Sequence, residues 1–331
     1  MQESEAVDPG GARETSAFPG AVGRVELGVA DRSQPAGRVF ALLLSDLQAD
    51  CLAHRDGVLA DEDTEELHAF RVAIRRTRSL LRAAADVLPD RDRRELRDGL
   101  RWLSDLTSPV RDLDVLAADL PAMARRLQPE LAVGLEPLRG AISTERTQAL
   151  DRLAAAITSD RFVSLQRTWH HCGRVYLLGG DLPAASAAPA GVVADGMVRR
   201  SEARMRRAGR RALRTGELVD WHDLRKALKQ FRYVLAEVAP LYPDGRFRSV
   251  RRELPELQDL LGHLQDHHVQ AELLSRVGAA TGGEAALAAG VLANRLHRDV
   301  HRVHRRCAST WSSFDGSASM ERLRSELSDA T

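Results

Sequence analysis

Residues 68–82, "HAFRVAIRRTRSLLR", carry the pattern from which the architecture of this chain can be predicted. Apolar side chains recur every three or four positions, which is the spacing of one face of an α-helix. The remaining positions include one histidine, five arginines and no acid. Because like charges on one helix face repel each other, this face needs acids on neighbouring helices or an anionic ligand.

Helical periodicity continues through most of the chain after Pro35. Prolines and glycines interrupt it, and no alternation typical of β-strands occurs. The sequence therefore predicts an all-α fold. The predicted helices span 36–59, 64–87, 91–106, 109–127, 130–157, 160–178, 192–214, 219–241, 246–263, 266–278 and 283–313.

The chain resembles itself at an offset of 154 residues, without a gap. The matched pairs include His68 with His222, Arg71 with Arg225, Arg78 with Arg232, Pro89 with Pro243, Leu103 with Leu257 and Asp112 with Asp266, and Arg75 falls on Lys229. The offset holds from residue 68 to residue 115, which is unusual for two unrelated helices. We predict two copies of one helical unit.

The segment order follows from this repeat and from composition. The polar N-terminus lacks the apolar stretch of a secretory signal and predicts a flexible tail. The predicted organisation is an N-terminal tail (1–33), a helical domain (34–315) with a first half (34–178), a Gly/Pro/Ala linker (179–191) and a second half (192–315), and a C-terminal tail (316–331).

Helical geometry groups the cations of both copies into stripes. At about 100° per residue, those of the first copy fall within an arc of about 80°. The first basic stripe consists of His68, Arg71, Arg75, Arg78 and Arg82; the second consists of His222, Arg225, Lys229 and Arg232, with Lys226 at its border. Arginine offers two parallel donors to phosphate oxygens. The recurrence favours an anion-binding surface over a solvated basic face, with affinity rising as the pH falls through the histidine pKa of about 6.5.

Two further basic rows lie in the second half. The candidates are Arg200, Arg204, Arg207 and Arg211 on the predicted helix 192–214, and His297, His301 and Arg305 on the predicted helix 283–313. Histidines four residues apart can chelate zinc. However, the HExxH arrangement is absent, and the neighbouring arginines would repel a dication. The sequence therefore predicts no metal site.

Charge and cysteine usage limit the class of protein. Lysine and arginine number 48 against 47 acids, so the basic rows must be balanced by acids elsewhere. The three cysteines are isolated, which argues against a disulfide framework and fits a reducing cytosol. No apolar run approaches the roughly 18 residues of a membrane helix. We predict a cytoplasmic protein without a membrane partner.

Motifs of the common enzyme classes are absent from the sequence. There is no P-loop, no GxGxxG after a strand, no GxSxG and no Cys–His motif. Asp112 and Asp266 are predicted to cap a helix or to orient a facing arginine rather than to hold a metal. We therefore predict a binding protein that is not an enzyme, with no catalytic residue and no cofactor.

The motifs of both halves resemble those of the CHAD domain, the conserved histidine α-helical domain. "HAFRVAIRRTRSLLRAAADVL" followed by "LRWLSDLTSPVRDLDVL" is similar to its first half. "HDLRKALKQFRYVLAEVAPLY" followed by "LPELQDLLGHLQDHHVQAELL" is similar to its second half, with Gln265–Asp266 where the family often has Asn-Asp. The resemblance covers about residues 35–314 and includes no CYTH enzyme domain, which some relatives carry before the helices.

The resemblance implies a pair of four-helix bundles related by a pseudo-two-fold axis, with basic faces that line a central groove or pore. It also implies binding of inorganic polyphosphate and, for some members, association with polyphosphate granules and their proteins. The ligand contacts implied by position are His68, Arg71, Arg75, Arg78, His222, Arg225, Lys226, Lys229 and Arg232, with a looser match at Arg200, Arg204, Arg207 and Arg211.

Two other functions remain as alternatives. An RNA-binding protein would share the attraction to phosphate, but the basic stripes contain no aromatic side chain on which bases could stack. A metal-dependent phosphohydrolase would use His297, His301 and nearby acids as ligands. Competition by RNA, and phosphate release with added divalent metals, distinguish these functions from polyphosphate binding.

Overall fold

The computed structural model describes residues 26–125, 127–174 and 182–329. Within these ranges it contains α-helices and two short 3-10 helices, Val29–Ser33 and Ala239–Leu241, and no strand, so the predicted all-α class is confirmed. The α-helices are α1 (Ala36–Ala53), α2 (Arg55–Ala60), α3 (Thr64–Ala83), α4 (Asp90–Ala124), α5 (Pro129–Ala132), α6 (Leu135–Ile157), α7 (Asp160–Arg174), α8 (Ala184–Ala187), α9 (Ala190–Thr215), α10 (Leu218–Val238), α11 (Arg248–Thr281), α12 (Gly283–Asp315) and α13 (Ala318–Asp329).

Helix α3 forms where the opening motif predicts it. The side chain of Asp63 accepts a hydrogen bond from the backbone of Glu65 at 2.8 Å and caps the helix start. Phe70 and Ile74 are buried on its apolar face. This burial fixes the rotation of α3 about its axis, so the arginines of the first basic stripe lie on another face.

Two long helices run through positions where the sequence predicts breaks. Pro109 lies inside α4, and α11 continues through the predicted gap at 264–265. The expectation of separate helices there is wrong. Pro255 lies inside α11, within the predicted helix 246–263. A proline inside a helix loses one backbone hydrogen bond. A buried residue next to each proline, Val110 in α4 and Leu254 in α11, packs in the core and helps to hold the helix together.

The helices pack around one continuous apolar core to which both halves of the chain contribute. Helix α3 packs against α1, α4 and α10, and α10 packs in turn against α9 and α11. Trp169, Trp221 and Trp311 are fully buried in this core. The direct contact between α3 and α10 brings together the two helices that carry the basic stripes.

Both predicted tails are partly ordered. Residues 318–329, expected in the C-terminal tail, form α13, because Met320, Leu323 and Leu327 are buried at helical spacing. In the N-terminal tail, Arg32 lies in a 3-10 helix and contacts Asp195 at 3.0 Å. Residues 1–25 of that tail lie outside the described ranges.

The predicted linker 179–191 also contains structure. Residues 179–181 lie outside the described ranges, but α8 falls within the linker, and α9 begins at Ala190 rather than at 192. Pro35 and Pro189 form an isolated β-bridge beside it. The bridge holds the start of α9 next to the start of α1.

The apolar character of the helices and the state of the cysteines both enter the sequence-based prediction of the compartment. No helix in the described ranges has both the length and the apolar character needed to cross a membrane. Cys51, Cys172 and Cys307 are buried and unpaired. Burial raises the pKa of Cys172 and Cys307 to about 12, so these thiols stay protonated at neutral pH.

Gly209 in α9 packs closely against Trp311 in α12. A β-carbon at this position would overlap the indole ring of Trp311, which is fully buried. We expect Gly209→Ala to lower the free energy of unfolding by about 1–3 kcal/mol through overpacking. Gly262→Ala in α11 is the control, because its β-carbon meets no atom within 4 Å and should stabilise the helix by about 0.5–1 kcal/mol. Chemical denaturation measures both; equal changes would contradict the overpacking.

Candidate anion-binding site

The two basic stripes meet at a cavity of about 200 Å³ between α3, α4, α10 and α11. We call it the central cavity. Its lining residues are Arg71, Arg75, Asp112, Val115, Arg225, Lys229, Gln265, Asp266, Val269 and Gln270. Four cations thus face two acids, and the net charge of the lining is +2.

The pKa values of the lining cations reflect this excess of positive charge. Burial first, and then the charges of Arg225 and Arg75, lower the pKa of Lys229 to about 7. Burial and the charge of Arg75 also lower the pKa of Arg71 to about 10, so that this guanidinium stays charged at neutral pH. Placing these cations together is therefore costly, and an anion in the cavity would relieve that cost.

Neutral groups hold Arg71 in place at the wall of the central cavity. Arg71 donates to the hydroxyls of Thr107 at 2.9 Å and Ser108 at 3.2 Å. The Nε atoms of Arg75 and Arg225 are buried and have no hydrogen-bond partner within the described residues. Because hydroxyls orient Arg71 without neutralising it, the positive charge remains available to a ligand.

Asp112 and Asp266 do not cap helices. Both lie in the interior of α4 and α11, because these helices continue through the predicted breaks. The capping interpretation is therefore wrong. Asp266 lies 3.7 Å from Arg225, which fits the orienting role predicted for it. Burial raises the pKa of Asp112, and the charge of Asp266 opposes a second negative charge beside it.

The first stripe continues to a second cavity of about 420 Å³, the α9 cavity. Arg78 donates to the hydroxyl of Ser104 at 2.8 Å, and Arg82 donates to the amide oxygen of Gln230 at 3.3 Å. The basic residues that line the α9 cavity are Arg82, Arg199, Arg200, Arg204 and Arg207. Three members of the predicted row on α9 thus lie beside the end of the first stripe.

Other predicted contacts are engaged elsewhere. Arg211 forms ion pairs with Asp220 and Asp223, each at 2.6 Å, and Lys226 pairs with Asp223 at 3.2 Å. Arg232 is exposed, stacks on the ring of Tyr233 with 4.9 Å to the centroid, and does not line the central cavity. The structure therefore separates these cations from those of the central cavity.

The histidines that head the stripes do not line the central cavity. Burial lowers the pKa of His68 and of His222, so both gain a proton only below their usual range. The imidazole of His222 contacts the amide oxygen of Gln265 and lines a separate cavity with Trp221. The pH dependence predicted near pH 6.5 is therefore shifted away from neutrality for these two groups.

The candidate row on α12 is also separate. His297 and Arg305 are exposed on this helix, whereas the central cavity is lined from α3, α4, α10 and α11. The backbone of His301 belongs to α12, but its side chain lies outside the described part of the structure. Among the described residues, no group of three or more His, Cys, Asp and Glu side chains could hold a metal ion.

Comparison with known proteins identifies the family. The family model of the CHAD domain matches residues 43–275, which is most of the chain. The chain belongs to the CHAD domain family. No curated protein sequence matches it.

Two solved structures share the fold. PptA from Streptomyces chartreusis has 18% sequence identity and a TM-score of 0.68, over 84% of this chain and 100% of that chain. The CHAD domain from the plant Ricinus communis has 22% identity and a TM-score of 0.69, over 94% and 96%. At these identities the similarity shows the CHAD fold alone.

Sequence reasoning missed the polar residues that accompany the arginines in this CHAD domain. Ser104 and Thr107 on α4 are uncharged, and their hydroxyl oxygens accept hydrogen bonds from Arg78 and Arg71. These bonds orient the two guanidinium groups. No sequence signal distinguished them, because at helical spacing they lie on the same face of α4 as Leu100 and Leu103. Gln270 also lacked such a signal; it lines the central cavity and donates a hydrogen bond to Asp119 at 2.7 Å.

Proposed function

We propose that this CHAD-domain protein binds inorganic polyphosphate through its basic stripes and catalyses no reaction on it. The observation that carries the proposal is the convergence of Arg71, Arg75, Arg225 and Lys229 on one cavity with only two acids. A linear polyphosphate suits such a site, because every phosphate brings charge and oxygen acceptors that match arginine. The protein would act in the cytoplasm, with association with polyphosphate granules and their proteins as a further part of the proposal.

The helix bounds support an internal repeat. Adding 154 to the bounds of α3 gives 218–237, against Leu218–Val238 for α10. Adding 154 to those of α4 gives 244–278, against Arg248–Thr281 for α11. We propose that the two halves are related by a pseudo-two-fold axis that passes between α3 and α10.

The two cavities support a continuous basic groove. Arg75 lines the central cavity, and Arg82 lines the α9 cavity. Seven residues of helix separate them, which is about 10 Å along α3. Arg78 lies on the same arc between them. A polyphosphate chain that follows α3 would thus pass from one cavity to the other and meet the arginines of α9.

A titration with polyphosphate of defined length tests the proposal. Filter binding is expected to give a saturable complex that RNA does not displace at equal phosphate concentration. Among the described residues no aromatic ring lines the central cavity, so unpaired bases find no stacking surface there. Displacement by RNA would instead identify a nucleic-acid-binding protein. Phosphate release from the same samples with added divalent metals would identify a phosphohydrolase; none is expected.

Affinity for polyphosphate is expected to fall steeply with salt. If about six cations contact phosphates, counterion release by a single-stranded polyanion gives a slope of about −4 for log affinity against log salt. Doubling the salt concentration then weakens binding more than about tenfold. Fluorescence anisotropy with labelled polyphosphate over a salt series measures the slope. A slope near zero would contradict binding by the basic stripes.

A further inference from the structure

A cavity of about 680 Å³, larger than the central cavity, lies between the end of α10 and the start of α11. We call it the α10–α11 cavity. Its charged lining residues are Asp244, Arg246, Arg248, Arg251 and Arg252. No group discussed above as a ligand contact belongs to it, yet four arginines face a single acid. The lining is therefore strongly basic.

Among the described residues, Arg246 is the one arginine of this lining that forms ion pairs. Arg246 lies 3.4 Å from Glu326 and 3.9 Å from Asp195. The guanidinium groups of Arg251 and Arg252 are exposed and make no hydrogen bond or ion pair within the described residues. The first turn of α11 contains no acid, and the start of a helix adds partial positive charge. Within α11, therefore, no acid of the first turn neutralises Arg251 and Arg252.

The α10–α11 cavity continues the second basic stripe. Ala236, which lines it, lies seven residues after Lys229 and therefore on nearly the same side of α10, about 10 Å further along. Arg232 lies between the two positions and is exposed. A chain that leaves the central cavity along α10 would therefore pass Arg232 and reach the α10–α11 cavity.

The corresponding position in the first half is also basic. Arg82 is the counterpart of Ala236 at the offset of 154, and Arg97 is the counterpart of Arg251. The charge of Arg97 contributes to the lowered pKa of Arg82, whose largest cause is burial. Arg97 of α4 thus lies near the end of the first stripe, and Arg251 of α11 lies near the corresponding end of the second stripe.

We propose that the α10–α11 cavity is a second phosphate-binding site, which takes the part of a polyphosphate chain that extends beyond the central cavity. This second site rests on the proposed polyphosphate binding, and it predicts that the bound chain runs from the central cavity along α10. A long chain engages the central cavity and then Arg251 and Arg252. Pyrophosphate is too short to span the roughly 10 Å between the two cavities.

The double variant Arg251→Gln/Arg252→Gln tests this site. Its affinity for long-chain polyphosphate is expected to fall about tenfold, and the salt slope to become shallower by about 1.4, since two contacts are lost. The preference for long-chain polyphosphate over pyrophosphate should fall by the same factor. Arg298→Gln/Arg306→Gln is the matched control, because it removes two exposed arginines of α12 that line neither cavity.

The outcomes separate this site from the proposed function. If the unchanged protein binds polyphosphate and the α11 double variant behaves like the α12 control, the second site is wrong while polyphosphate binding stands. If the unchanged protein binds neither long-chain polyphosphate nor pyrophosphate, the proposed function fails and the second site with it. Circular dichroism confirms that each variant has folded.

Discussion

Replacing Arg75 and Lys229 together with glutamate is expected to abolish polyphosphate binding while leaving the helical circular dichroism spectrum unchanged. The two side chains come from different halves of the chain and line one cavity. The double substitution changes the net charge of the lining from +2 to −2. Like charges that face each other in a partly buried site cost several kcal/mol, so affinity should fall by at least about 100-fold.

The control for this variant is Arg298→Glu/Arg306→Glu. It makes the same change of charge at two exposed positions of α12, outside the central cavity. If the overall charge governed binding, both variants would lose affinity equally. If the central cavity governs it, only the first loses binding. Retained affinity in a folded Arg75→Glu/Lys229→Glu protein would show that polyphosphate binds elsewhere.

Local sequence patterns predict the helices well and their ends less well. The apolar spacing around Phe70 and Ile74 predicts α3 because the same contacts that bury these residues also orient the helix. The sequence predicts a break at Pro109, because proline cannot donate the backbone hydrogen bond of a continuous helix. Tertiary packing outweighs that local cost inside α4. The length of the long helices is therefore decided by neighbours that are distant in sequence.

The binding residues could be predicted only in part, for a related reason. Periodicity places Arg71 and Arg75 on one face, but it does not say what that face meets. Arg211 belongs to its row by geometry, yet Asp220 lies 2.6 Å away across the turn after α9 and neutralises it. Whether an arginine is available to a ligand depends on acids that the fold brings near. Sequence spacing on one helix does not contain that information.

Polyphosphate affinity is expected to fall about tenfold for each pH unit above about pH 7, and Lys229 is the reason. Burial and the charges of Arg225 and Arg75 lower its pKa to about 7, and these effects outweigh the opposing charge of Asp266. The free protein therefore loses this proton as the pH rises through 7. A bound polyanion favours the charged amine and raises its pKa, so binding above pH 7 takes up about one proton.

The variant Lys229→Arg separates this effect from any histidine titration. Arginine keeps the charge but does not titrate in this range, so its affinity should stay flat between about pH 7 and 9. His222→Gln should keep the slope of the unchanged protein, because burial moves the pKa of His222 below its usual range. Calorimetry in two buffers of different ionisation enthalpy counts the protons directly. If Lys229→Arg still takes up about one proton on binding at about pH 8, another group titrates. The low pKa of Lys229 would then have no part in polyphosphate binding.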